Sequence, residues 1–208
     1  MMSGRKIQWA CVNVCRMAVA LTFILSGYVK AVDPLGTQYK IHDYLVAAGM
    51  SDIVPDAVTL GASVLLAAAE FCAGVLLLFA IHRRTVSRLV LVFMAVMTPL
   101  TLWLAVADPV EDCGCFGDAV VLTNWETFAK NVVLLACTLV VFRRPMMMVR
   151  FISKTNQWII LNYTVLFILV SSVYCLYYLP ILDFRPYHVG ADIRKGMEFP
   201  EGAEQPQF

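Results

Sequence analysis

Five apolar stretches, near residues 9–30, 57–80, 86–107, 126–143 and 157–180, decide what this chain can fold into. Each is close to the ~20 residues an α-helix needs to cross a hydrocarbon core of ~30 Å. Inside lipid every backbone amide must find its partner within the segment or its close neighbours, so such runs become helices rather than open strands. The composition agrees. Hydrophobic residues make up 60% of the 208 and charged residues only 15%, against about 25% charged in a soluble domain. A net charge of +1 argues against a nucleic-acid partner, which needs a basic face. The expectation is an all-α integral membrane protein whose first partner is the lipid bilayer.

Charges between the spans fall into two alternating classes. Arg5 and Lys6 precede the first span, Arg83, Arg84 and Arg88 lie between the second and third, and Arg143, Arg144, Arg150 and Lys154 lie between the fourth and fifth. The other connections hold Asp33, Asp43, Asp52 and Asp56, then Asp108, Glu111, Asp112 and Asp118. Basic loops stay in the cytoplasm, so the N-terminus reads as cytoplasmic and the C-terminus as external. The first span lacks a small-residue cleavage site and reads as a retained anchor. The chain divides into a four-span domain at 1–145, a fifth span with its linker at 146–180, and a polar external tail at 181–208. Between the first two spans, Asp33–Gly36 reads as a turn and Thr37–Met50 as a short amphipathic helix on the outer surface, ended by Gly49. Gly and Ala in the second span, Gly61, Ala67, Ala73 and Gly74 among them, predict close helix packing.

The chemistry-bearing stretch is Cys113-Gly114-Cys115-Phe116-Gly117, in the acidic loop 108–118. Glycine permits tight or left-handed backbone there, and loops carry chemistry more often than their share. On the external face the pair meets an oxidising compartment. A disulfide across so small a ring departs from relaxed geometry, which makes it labile, so Cys113 and Cys115 are the candidate redox pair. A plain loop staple is the alternative. Half of a zinc site is another, but zinc takes four tetrahedral ligands, and His42 and His188, the external histidines, sit on separate segments. Asp112 and Asp118 nearby would raise a thiol pKa.

Glu70 is the lone acid in the interior of a predicted span, Glu126 being the first residue of another. Such a carboxyl is costly and marks a candidate site. It reads either as a structural ion pair with Arg16 of the first span, or as a proton relay or quinone contact. Lys30 reads as a side chain snorkelling to the interface. Cys11 and Cys15 share a helix face and read as buried small hydrophobes. Cys175, toward the outer end of the fifth span, is a candidate resolving thiol for the loop pair.

These residues also carry a resemblance. Ser26-Gly27, Lys30 and Asp33-Pro34-Leu35-Gly36 resemble the first-helix signature of the DoxX-like membrane proteins, and Glu70 with Gly74 resembles their second-helix pattern. Cys113–Asp118, followed by Thr123-Asn124-Trp125 and Lys130-Asn131, resembles the MauE branch of that superfamily, and Pro180–Gly190 is similar to a form common in Bacteroidetes. The resemblance implies a DoxX/MauE-like four-helix transmembrane bundle, here with a fifth helix. It also implies a role in maturing a disulfide-rich methylamine dehydrogenase subunit beside a periplasmic thioredoxin-like partner. The implied bundle is similar to that of vitamin K epoxide reductase, in which cysteines pass electrons to a quinone. This chain departs from the quinone-reducing enzymes in having no Cys-x-x-Cys.

Two functions therefore stand as expectations. One is a thiol–disulfide relay between the loop and a thioredoxin-like partner, with a quinone as a candidate cofactor. The other is a non-enzymatic membrane scaffold whose loop disulfide is structural. A solute transporter fits less well, since no broken helix or inverted repeat is visible.

Overall fold

A computed structural model describes residues 2–47, 49–50, 53–107, 113–120, 122–178 and 182. Asp52, Asp108, Glu111, Asp112, His188 and nearly all of the 181–208 tail lie outside the described residues. Among the described residues there is no strand. The helices are α1 (Met2–Val32), α2 (Pro34–Ala47), α3 (Asp56–Leu78), α4 (Arg83–Ala107), α5 (Asn124–Arg143) and α6 (Gln157–Tyr177), with single 3-10 turns at Gly117–Ala119, Pro145–Met147 and Lys154–Asn156. Five of the six helices, all but α2, are long and apolar enough to cross a membrane. The all-α expectation of five spans holds.

Helix α1 packs along α3, α4 packs along α5, and α1 against α5 joins the two pairs. Helices α3 and α4 touch much less, which leaves a groove open between them. Helix α6 lies outside, on α3 and α1, where the Phe167 ring stacks on Tyr28 at 6.4 Å and tilts against Phe71 at 5.7 Å. The bundle core gathers Val19, Phe23, Leu77, Val90, Met94 and Leu134 from four helices.

Small residues set the α1–α3 register. A Cβ on Gly27 would lie 2.8 Å from the Ala67 carbonyl oxygen, and one on Gly74 would lie 2.8 Å from the Ile24 backbone nitrogen. The two backbones touch at both points, as small residues allow in lipid. Glu70 is thereby level with Ser26 on α1. Arg16 is ten residues further down that helix, about 15 Å at 1.5 Å per residue.

Hence the expected Arg16–Glu70 ion pair is corrected. Arg16, 1% exposed, donates to the Val149 carbonyl at 2.5 Å and lies over the Phe151 ring at 5.1 Å. Asn13 binds the same linker through Met147 O and Val149 N, and Arg83 donates to Met146 O and Met148 O. Backbone carbonyls of the α5–α6 linker, rather than a carboxylate, take up these guanidinium protons.

At the other end, the turn expected at Asp33–Gly36 is the first turn of α2. Asp33 Oδ1 accepts the Gly36 N–H at 3.1 Å, and Pro34 holds the position where a missing N–H costs nothing. Gly49, at φ +70, donates to Val46 O just past the helix. Helix α2 does not simply lie on lipid, because it packs on α3, with Gln38 donating to Asp56 O at 3.1 Å. Helix α5 starts with a capping box. Thr123 Oγ1 accepts the Glu126 N–H, and Glu126 Oε2 accepts the Thr123 N–H at 3.0 Å.

Candidate redox site

The cysteine loop is docked into the bundle. Gly114 at φ +62, a left-handed conformation that costs an L side chain about 1 kcal/mol or more, turns both cysteines to the same side. Their sulfurs lie 3.1 Å apart as free thiols. Although the pair lies on a loop between spans, it does not stand in the open: Cys113 is 7% exposed and Cys115 is partly buried. The Tyr44 hydroxyl, from α2, donates to the Cys113 carbonyl.

The Cys115 carbonyl sits on a buried polar cluster that ties α1 to α3. Lys30, 5% exposed, forms an ion pair with Glu70, 4% exposed, at 2.7 Å. An ammonium has three protons, and three acceptors surround this one: Glu70 Oε2, Ser26 Oγ at 2.6 Å and Cys115 O at 2.8 Å. Ser26 Oγ lies 2.6 Å from Glu70 Oε2 and 2.7 Å from Cys115 O, with one proton to give to either. The predicted snorkelling of Lys30 is thus corrected. The side chain turns inward because Glu70 stands level with it and needs a counter-charge away from water.

The electrostatics separate the two thiols. The Cys115 thiol is lowered to about 7, first by the hydrogen bond from Cys113 and then by Lys130 and Lys30, against burial and Glu70, which raise it. Cys113 is pushed up, by that same hydrogen bond to Cys115 and by burial. Lys130 of α5 stands 4.2 Å from the Phe116 ring centroid. Asp112 and the side chain of Asp118, the acids expected to raise the thiols, lie outside the described residues. Cys115 is the thiol of the pair that ionises more readily.

Two small cavities border the pair. One, of about 60 Å³, is lined by Cys113, Cys115, Lys30, Glu70 and Tyr44 among others. The second, of about 30 Å³, reaches the bundle centre past Cys115, Phe116, Lys130 and Asn131. Sequence reasoning found Cys113, Cys115 and Glu70 but missed Ser26, Lys30 and Tyr44 as partners. Ser26 and Lys30, four apart on a span, were the available signal, since they share a helix face. The fold does not bring Cys175 to the pair. It is buried on α6, outside α1 and α3, lines neither cavity, and has no sulfur partner among the described residues. Cys15 of α1 faces Cys11 and, across the helix interface, Cys137 of α5.

Fold and site together define a multi-pass, all-helical membrane protein with a cysteine loop seated on a buried lysine–glutamate pair. The family model described as methylamine utilisation protein MauE matches residues 8–144, a span that holds all but the first residues of α1, the whole of α2 to α5 and every residue of the site. The chain belongs to the MauE family; α6 lies beyond the match. No curated protein and no solved structure matches the chain.

Proposed function

We propose that the chain is a membrane thiol–disulfide relay, working in methylamine utilisation by maturing disulfide-bonded protein beside a periplasmic thioredoxin-like partner. Alternation of basic and acidic connections supports an N-terminus in the cytoplasm and a cysteine loop facing the periplasm of an inner membrane. The observation that carries the reading is the pair itself: two thiols 3.1 Å apart, one lowered and one raised, on a loop held by Lys30 and Ser26.

In the oxidised loop, a thiolate of the partner attacks the sulfur of Cys115, the residue with more exposed surface of the two. The Cys113–Cys115 bond breaks, and Cys113 leaves with the electron pair and takes a proton. The partner's second thiolate then attacks the mixed disulfide and expels Cys115. The partner departs with a disulfide, and two electrons stay on the loop. The last leaving group is the better-stabilised thiolate, which favours departure. Glu70 and Lys30 position the loop and offer protons beside it.

The test is a redox titration in isolated membranes with oxidised and reduced thioredoxin, reading the loop by alkylation and mass. A relay cycles between dithiol and disulfide. A scaffold's pair stays oxidised and resists reductant, and that result would retire the proposal.

A further inference from the structure

The end of the bundle far from the cysteine pair gathers cations with no acid among them. Residues 1–16, 79–88 and 143–157 hold no Asp or Glu, and among the described residues no carboxylate pairs with Arg16, Arg83 or Arg150. Arg16, 1% exposed, lies close enough to Arg83 to feel its charge, and Arg83 close enough to Arg150. Carbonyls of the α5–α6 linker take only the Nη1 groups: Arg16 donates to Val149 O, and Arg83 to Met146 O at 3.1 Å and Met148 O at 2.9 Å. The Nε of both residues is buried without an acceptor, and Arg16 Nη2 meets only the Met17 sulfur, at 4.0 Å. Nε–H and Nη2–H form the fork with which a guanidinium grips an oxyanion through two parallel bonds. Carbonyls satisfy protons but bring no net charge, so the repulsion within the cluster stays uncompensated.

We propose that Arg16, Arg83 and Arg150 form a binding site for a phosphate-bearing anion, with Arg83 as its contact residue and Arg16 as the buried charge behind it. Arg83 is half-buried and Arg150 exposed, so the cluster reaches the surface. It does so where α4 begins, at Arg83, and α5 ends, at Arg143, and the ends of spans lie at the depth of lipid phosphates. The unpaired N–H groups in the first turn of α4 add partial positive charge at the same place. A phosphate offers two oxygens to the open fork of Arg83, and its charge offsets the repulsion among the three guanidiniums. Bound there, it braces the α5–α6 linker against α1 and α4. An anionic phospholipid headgroup and free phosphate share this chemistry. The site lies fourteen residues along α1 from Lys30, about 21 Å at 1.5 Å per residue, and stands independently of the cysteine relay.

The experiment uses the full chain, delipidated in detergent and titrated with phosphatidylglycerol or phosphatidylcholine, with binding read by native mass spectrometry. A second arm follows thermal unfolding in inorganic phosphate against chloride at equal ionic strength. The wild type binds phosphatidylglycerol more tightly than phosphatidylcholine. In Arg83→Gln the affinity for phosphatidylglycerol falls by about tenfold. In Arg84→Gln, which removes the same charge from an exposed neighbour, it stays within about twofold. Because Arg83→Gln also gives up two carbonyl bonds, the wild-type headgroup preference is the readout that needs no variant to fold. A rise in unfolding temperature with inorganic phosphate assigns the site to phosphate itself; phosphatidylglycerol binding without that rise assigns it to the lipid. Equal losses in Arg83→Gln and Arg84→Gln mark a diffuse basic surface and overturn the site. So does a wild type that binds the two lipids alike.

Discussion

Replacing Lys30 with Met removes a cation of similar length from a site where both partners are almost fully buried, 5% and 4% exposed. The variant leaves Glu70 without its counter-charge and takes one of two donors from the Cys115 carbonyl. Breaking a buried pair from one side costs about 3–5 kcal/mol, because the remaining charge is uncompensated. Ser26 cannot make up the loss, having a single proton to share between Glu70 and Cys115. The double variant Lys30→Met, Glu70→Leu removes the orphaned charge. Replacing a whole buried pair with apolar groups is often close to neutral, so most of the loss returns and the coupling across the cycle is about 3 kcal/mol. Thiol exchange does not return, since the Cys115 loop still lacks its lysine donor. Reversible unfolding in detergent measures the stabilities, and alkylation of Cys115 measures the second effect. A single variant within about 1 kcal/mol of wild type, or simple additivity of the two changes, would refute the account of this cluster.

Further outcomes follow from the same geometry. Iodoacetamide reacts with Cys115 half-maximally near pH 7, while Cys113 stays unreactive through pH 9, because the former is lowered to about 7 and the latter raised. The lowered thiol adds stability as pH rises from about 7 toward its ordinary value of 9.0, and above 9.0 the raised Cys113 thiol withdraws stability; equal labelling of both cysteines contradicts the split. Gly27→Ala pushes a methyl to 2.8 Å from the Ala67 carbonyl. It forces α1 from α3 and costs about 1–3 kcal/mol, read by thermal unfolding against Gly61→Ala, where open space surrounds the new methyl.

The five spans were legible because their apolar length is a property of composition, and lipid leaves the backbone no other choice. The loop pair was legible because Cys113 and Cys115 stand alone in a polar segment. What was hidden was relative depth. Arg16 and Lys30 are both cations on α1, and which one meets Glu70 depends on the α1–α3 register, fixed by contacts at Gly27 and Gly74 that lie 47 residues apart in sequence. No local pattern encodes that register. The helix start at Asp33-Pro34 was read as a turn because Pro-Leu-Gly fits one equally well, although Asp as N-cap with Pro in the next position also starts a helix. Splitting of the two thiols depended on Lys30 and Lys130 converging from α1 and α5, which only packing brings about.

The central claim is that Cys115 exchanges with a partner while Cys113 resolves, and a mixed-disulfide trap tests it most directly. Cys113→Ser and Cys115→Ser would each be expressed in cells, quenched in acid, alkylated and run on non-reducing gels. The account predicts a reductant-sensitive adduct from Cys113→Ser, in which Cys115 remains free to bond the partner and the loop has no second thiol to displace it. Adducts from Cys115→Ser instead, or from neither variant, would contradict it.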